Sequence, residues 1–153
     1  VVIGVLTAGV FATPALAGAG ATGATNCVLV ADPLRPGEES SHLSRKCADS
    51  PDGQIVPASS TLLAIVYANI YMGTPSTPIY GSGGPCDYDG YRINARSANN
   101  VVGGISSYRV YNSCIASAID DGMGHTGGGC GDVNYVGDGI NDHVYYMSLW
   151  KGC

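Results

Sequence analysis

A chain of 153 residues suits one domain, and seven basic against twelve acidic residues give it a net charge of −5. That balance excludes nucleic acid as a partner, which demands a basic face, and is compatible with calcium or a basic protein surface. Only 12% of the residues are charged, while glycine numbers 23 and tyrosine 10, a composition that fits a turn-rich β protein better than a disordered one.

Val1 to Phe11 is an apolar run without a charge, followed by Thr13-Pro14 and then Ala15-Leu16-Ala17. A short apolar stretch ending in an A-x-A tripeptide reads as a secretory signal peptide, here residues 1–17 with the basic front missing. The run is shorter than the roughly 20 residues that cross a bilayer, so the mature chain is expected outside the cell and off the membrane. Six cysteines, at 27, 47, 86, 114, 130 and 153, follow this leader, and an even count in that setting implies disulfides. Locality favours Cys27 with Cys47 and Cys114 with Cys130, leaving Cys86 and Cys153 paired or free. Each local loop would contribute about 3 kcal/mol through the unfolded state. The close Cys/His pairs that a zinc site needs are missing from the sequence.

Gly18 to Asn26 is a flexible lead, Val28-Leu29-Val30 a short strand, and Ser41 to Cys47 a second one after the Pro33–Gly37 turn. Residues 18–60 thus read as a lead and a disulfide-stapled strand extension, before a main domain over 61–153. Leu62 to Tyr67 is a strong strand. Asn69 to Gly73 follows as a turn, with Gly73 expected at positive φ. Thr77 to Tyr80 is a strand, Tyr88 to Arg96 contains another, and Ile105 to Tyr111 alternates with Ile105, Ser107 and Arg109 on one face. Cys114 to Ile119, Val133 to Val136 and Val144 to Trp150 complete the set, with Asp120 to Gly131 a long glycine-rich loop. Short strands between turn signals predict an all-β sandwich.

Gly104-Ile105-Ser106-Ser107-Tyr108-Arg109-Val110 recurs in altered form as His143-Val144-Tyr145-Tyr146-Met147-Ser148-Leu149. Each copy closes a strand, loop and strand unit, so the domain reads as a duplicated β motif. Tyr67-Ala68-Asn69-Ile70-Tyr71-Met72-Gly73 sets an aromatic residue six positions before a glycine, and Asn141-Asp142 supplies an acidic pair ahead of the second copy. With these features the stretch from Thr61 to Lys151 resembles the βγ-crystallin superfamily, and within it small secreted actinobacterial proteins that include metalloproteinase inhibitors and killer-toxin-like proteins. The resemblance implies a sandwich of two Greek-key motifs, with calcium sites shared between them. The first motif keeps the hydroxyls, Ser106 and Ser107, and has Val102 and Gly103 where the acidic pair belongs. The second keeps Asn141 and Asp142, and has Tyr145-Tyr146 where the hydroxyls belong. One weak composite calcium site of Ser106, Ser107, Asn141 and Asp142 is what this carry-over allows, because calcium wants six to eight oxygens; no other cofactor is expected.

Gly122 to Gly127 matches G-x-G-x-x-G, yet it runs into more glycine rather than a helix, so a phosphate loop is excluded. Asp87-Tyr88-Asp89-Gly90 begins like an EF-hand loop and lacks the later ligands, which makes it a turn. The expected role is a secreted, non-enzymatic binding protein, with a proteinase inhibitor foremost and an extracellular proteinase or other protein as partner. Its contact loop would carry Asp120, Asp121, Met123 and His125, since exposed loops on rigid scaffolds make such contacts. A calcium-binding or structural extracellular protein is the alternative, and a small secreted hydrolase built on His42, His125 or His143 the third.

Overall fold

Runs of β-branched and aromatic residues cut by glycine and proline produce strands throughout the computed structural model, which describes residues 27–48, 56–96 and 104–153. The expected leader, the lead at 18–26, and Val102 and Gly103 lie outside the described residues. The strands are β1 (Cys27–Ala31), β2 (Leu43–Cys47), β3 (Thr61–Asn69), β4 (Gly73–Gly81), β5 (Tyr91–Asn94), β6 (Ser107–Val110), β7 (Ala116–Asp120), β8 (Thr126–Cys130) and β9 (Tyr146–Trp150). They form a five-stranded sheet in the order β2-β1-β4-β3-β6 and a four-stranded sheet in the order β5-β9-β7-β8. The fold is an all-β sandwich.

The two sheets share one connection pattern. In the first, β4, β3 and β6 are neighbours; in the second, β8, β7 and β9 are. Between β4 and β6 the chain crosses over to lay β5 against β9, and between β8 and β9 it crosses back to bridge Val133 to Tyr108 of β6. The two sequence copies therefore occupy equivalent places, each beside the first strand of its own unit. The first hairpin is woven into the sheet: Leu29, Val30 and Ala31 of β1 pair in parallel with Ile79, Tyr80 and Gly81 of β4, and every residue of β1 is buried.

The core lies between the sheets. Leu63, Val66 and Ile79 from one sheet meet Ile93, Ile119, Met147 and Leu149 from the other, all essentially without exposure. Burying each such side chain contributes roughly 1.5–3 kcal/mol. A register shift between Leu62 and Ala64 turns both Leu63 and Ala64 inward, which strict alternation along β3 would forbid.

Three expectations are corrected. The segment from Asp120 to Gly131 is a hairpin, because Thr126–Cys130 pairs along all of β7. Its glycines hide it from propensity, and one of them is required: Gly128 has φ 117, and a Cβ there would overlap the Ser117 carbonyl. Val133 to Val136 contributes an isolated bridge rather than a strand. Cys114 joins Cys86, and Cys130 joins Cys153, so the Cys114–Cys130 pairing fails while Cys27–Cys47 forms. The register explains the exchange. Ala116 faces both Cys130 and Trp150, which brings Cys130 to the end of β9, whereas Cys114 precedes β7 and lies near the Cys86 loop. The Cys86 N–H donates to the Asn112 carbonyl at 3.2 Å.

One buried polar contact crosses the core. The Tyr108 hydroxyl on β6 lies 2.9 Å from Ser117 Oγ on β7, and Ser117 Oγ donates to the Gly129 carbonyl at 3.1 Å. Burial raises the Tyr108 pKa, with the Ser117 contact opposing. Ser117 thus accepts from Tyr108 and donates to Gly129. Tyr108→Phe leaves Ser117 its carbonyl and should cost about 1 kcal/mol, while Ser117→Ala strands a buried hydroxyl and should cost about 1–3 kcal/mol. Urea unfolding of both variants checks the order, with Ser117→Ala the less stable.

Candidate functional site

The β3–β4 turn, the approach to β6, the β7–β8 loop and the approach to β9 share one end of the sandwich. Their order is set by register: Tyr67 pairs Ser107, and Asp120 pairs Tyr146. The contacts that hold this end are side-chain hydroxyls and carboxylates.

Ser106 is buried and donates to the Ala68 carbonyl at 2.7 Å, with Asp142 Oδ1 at 3.2 Å from the same hydroxyl. Asn141 Nδ2 donates to Asp142 Oδ2 at 2.9 Å, and Asn141 Oδ1 is buried without a hydrogen-bond partner. Gly104 at φ 131 lies so close that a Cβ would overlap the Asp142 carboxylate. The structure therefore brings together Ser106, Asn141 and Asp142 from the expected set. Ser107 turns elsewhere: its Oγ donates to the Asn69 carbonyl at 2.6 Å and accepts the Met72 N–H at 3.0 Å.

What Ser107 grips is a strained turn that the sequence did not announce. Gly73 has φ −74, not the positive value expected of it; Tyr71 (φ 54, ψ 38) and Met72 (φ 61) hold the left-handed positions instead. With the Gly73 N–H donating to the Ile70 carbonyl, the geometry is that of a type I′ turn, in which asparagine and glycine are normal and bulky side chains are not. The Tyr71 N–H donates to the Asn134 carbonyl at 2.8 Å, and Asn69 Nδ2 donates to the Thr74 carbonyl at 2.6 Å. The Tyr71 side chain is left 73% exposed, beside exposed Ile70. A turn without glycine at its centre between two strong strands is the signal that could have marked it.

The expected contact loop divides into inward and outward residues. Met123 is 74% exposed, and Asp120 Oδ1 accepts the Gly122 N–H at 3.1 Å. Asp121 faces inward, its carboxylate buried and accepting the Met123 N–H at 2.8 Å, the His125 N–H at 3.0 Å and His125 Nδ1–H at 2.6 Å. The hydrogen bond from His125 leads the causes that hold the Asp121 pKa down at about 2, helped by the two backbone N–H groups and opposed by burial. The other histidines stand apart: His42 lies 3.7 Å from Asp32, and His143 Nδ1 2.7 Å from the Asn141 carbonyl. Neither His125 nor the others has a serine or threonine hydroxyl as partner among the described residues.

Among the described residues no group of three or more His, Cys, Asp and Glu side chains converges as a metal cluster would. Asp142 is the one carboxylate of the composite set, and its two oxygens already face Ser106 and Asn141. Calcium would have to displace those contacts and complete a shell of six to eight oxygens. No protein-family model, no curated protein and no solved structure matches this chain.

Two outcomes follow from this geometry. Calcium titration by calorimetry should find at most one site, with Kd of about 10⁻⁴ M or weaker; two sub-micromolar sites would contradict the donor count. Asp121 ionises more readily folded than unfolded, so its stabilising contribution is complete above the unfolded value near 3.8 and is lost as pH falls through the folded value of about 2. Exchange of the Met123 and His125 amides, corrected for intrinsic rates, should be slow at neutral pH and accelerate below about pH 4. In Asp121→Ala, which removes the acceptor, it should be fast across the whole range.

Proposed function

We propose that this chain is a non-enzymatic extracellular binding protein of βγ-crystallin type, which presents the Ile70–Met72 turn to a protein partner, an extracellular proteinase being the first class to test. The observation that carries the reading is Tyr71: an aromatic side chain, 73% exposed, on a backbone held left-handed by hydrogen bonds from outside its own hairpin. Backbone strain of this kind persists only where the surroundings enforce it, and it clusters at ligand contacts. A fixed tyrosine also loses little freedom on binding, which is why tyrosine recurs at interface hot spots. Met123 stands exposed on the β7–β8 loop at the same end.

The shared strand order and the crossed β5 and Val133 segments support a pair of intercalated Greek keys. Three intramolecular disulfides are compatible with an oxidising, extracellular setting. Among the described residues no helix is long and apolar enough to cross a membrane. The second reading, a calcium-responsive extracellular protein, has one observation in its favour, the buried Asn141 Oδ1 beside Asp142 with no donor of its own.

The variant Tyr71→Asn/Met72→Gly installs the residues a type I′ turn prefers. It should gain about 1–2 kcal/mol for each relieved residue, read as a higher urea midpoint. The same change should lose inhibition by about 30-fold or more if Tyr71 is the hot spot, measured against a panel of secreted metallo- and serine proteinases. A wild-type chain that inhibits none of them and is itself degraded would remove the inhibitor reading and leave the calcium one to be tested next.

A further inference from the structure

The opposite end of the sandwich carries an aromatic feature that the loop-end reading does not use. Tyr88 sits in the turn before β5, and every backbone neighbour of that turn is tied down. Asp87 Oδ1 accepts the Gly90 N–H at 2.7 Å, and the Lys151 N–H donates to the Asp87 carbonyl at 2.7 Å. The disulfide from Cys86 to Cys114 anchors the entry. Gly90 (φ 65) lies so close to the end of β9 that a Cβ would overlap the Leu149 carbonyl. On this fixed base the Tyr88 side chain is 78% exposed.

Trp150 is its neighbour. Met147 and Leu149 are fully buried, so the alternation of β9 sends Tyr146, Ser148 and Trp150 to the outer face of the sheet. Tyr88 and Trp150 together line two clefts. One, of about 720 Å³, adds Lys151, Ala116 and the Cys130–Cys153 disulfide; the other, of about 340 Å³, adds Leu34, Asp89, Arg92 and Ser148. The first is within the size range of small-molecule sites. Each cleft holds one cation, and among the described residues neither the Lys151 nor the Arg92 side chain has a carboxylate or hydrogen-bond partner. Lys151 Nζ stands 5.8 Å from the centre of the Tyr88 ring, and the Arg92 guanidinium 4.5 Å from that of Tyr146. Lys151 is the one charged side chain lining the larger cleft, whereas Arg92 shares the smaller one with the Asp89 carboxylate, so in a chain of net charge −5 the larger cleft is the one that presents positive charge.

We propose that the Tyr88–Trp150 ridge and its two flanking clefts form a binding site for an acidic oligosaccharide, with sugar rings stacked on the aromatics and a uronate carboxylate met by Lys151 in the larger cleft. The chemistry matches piece by piece. The C–H face of a pyranose packs on the electron-rich face of an aromatic ring. An ammonium group with no internal carboxylate binds a ligand carboxylate by charge-assisted hydrogen bonds. Ser148 and Asp89 are placed to take hydroxyls. An apolar peptide or a lipid would leave Lys151 unanswered and is disfavoured on that ground.

Calorimetric titration of the intact chain with a hexamer of galacturonate, and with a hexamer of glucose as the uncharged control, tests the site. The uronate should bind, more weakly as salt rises, and the glucose hexamer should bind at least about tenfold less tightly. Tyr88→Ala should weaken uronate binding about fivefold or more without moving the urea midpoint, since its ring is largely solvent-exposed. Lys151→Gln should weaken it and flatten the salt dependence. Trp150→Phe, which keeps an aromatic face, should retain most of the affinity and guards against misreading a folding defect. Absence of uronate binding, equal affinity for the uncharged hexamer, or a Tyr88→Ala variant that binds like the wild type would each overturn the proposal.

Discussion

Two adjacent hydroxyls, Ser106 and Ser107, hold the loop end of this protein together. They point to opposite sides of the same short run of chain, as consecutive residues entering a strand must. Ser107 closes on the turn after β3, taking the Met72 N–H and giving its proton to Asn69. Ser106 closes on Ala68 and meets Asp142 from the other unit. Without the first contact, left-handed tyrosine and methionine are held only by the twist of their own hairpin and by the Asn134 carbonyl. Without the second, Asp142 keeps only its backbone N–H to the Ile105 carbonyl as a tie to the approach to β6. A hydroxyl suits the work of Ser107 because it can donate and accept at once, so one side chain satisfies the Asn69 carbonyl and the Met72 N–H in a space too small for a longer residue.

The two ends of the sandwich are stabilised by different physics. Cys86–Cys114 and Cys130–Cys153 close the end where β7 and β8 meet the chain terminus, and such links act mainly by restricting the unfolded chain. The loop end has no covalent tie among the described residues and depends on short polar contacts: Ser106 to Asp142, Ser107 to Met72, Asp121 to His125. Contacts of that kind can be lost one at a time, with local opening that leaves the core intact. A scaffold locked at one end and polar-held at the other can tolerate strain at Tyr71, because the core strands beneath the turn are anchored independently of it.

Much of the sandwich was legible in the sequence because strand propensity and turn residues agreed along most of it. β3, β6 and β9 lie where β-branched and aromatic residues cluster, and the all-β class follows from them. What failed was decided by partners rather than by local composition. Thr126–Cys130 has almost no side chains to betray a strand and is one only because β7 offers a full ladder. Cys114 misses Cys130, sixteen positions along the chain, because the register of β7 with β8 and β9 decides which cysteines face each other. At the candidate site, Ser106, Asn141 and Asp142 were expected together only through what the family resemblance implies. Tyr71 was not, because the glycine that should have marked the turn stands one residue past its left-handed pair. Asp121 was read as outward for the same kind of reason: its spacing shows a loop, and only the fold shows that the loop curls around its carboxylate.

The duplication explains why the loop end is a joint product of both units. The first copy carries the hydroxyls, the second carries the amide and carboxylate, and Ser106 reaches Asp142 across the 36 positions between them. In the second copy, Tyr145 and Tyr146 stand in the hydroxyl positions. They pack against cations instead, Arg96 lying 4.2 Å from the Tyr145 ring centre and Arg92 4.5 Å from that of Tyr146. Both arginines flank β5 or lie on it, the strand donated by the first unit, so the second copy is held by cation–aromatic contact where the first is held by hydrogen bonds. Each unit thus supplies a partner that the other lacks. The first unit's turn takes the Asn134 carbonyl of the second for its Tyr71 N–H, which ties the strained Tyr71 backbone to the whole sandwich rather than to a single hairpin.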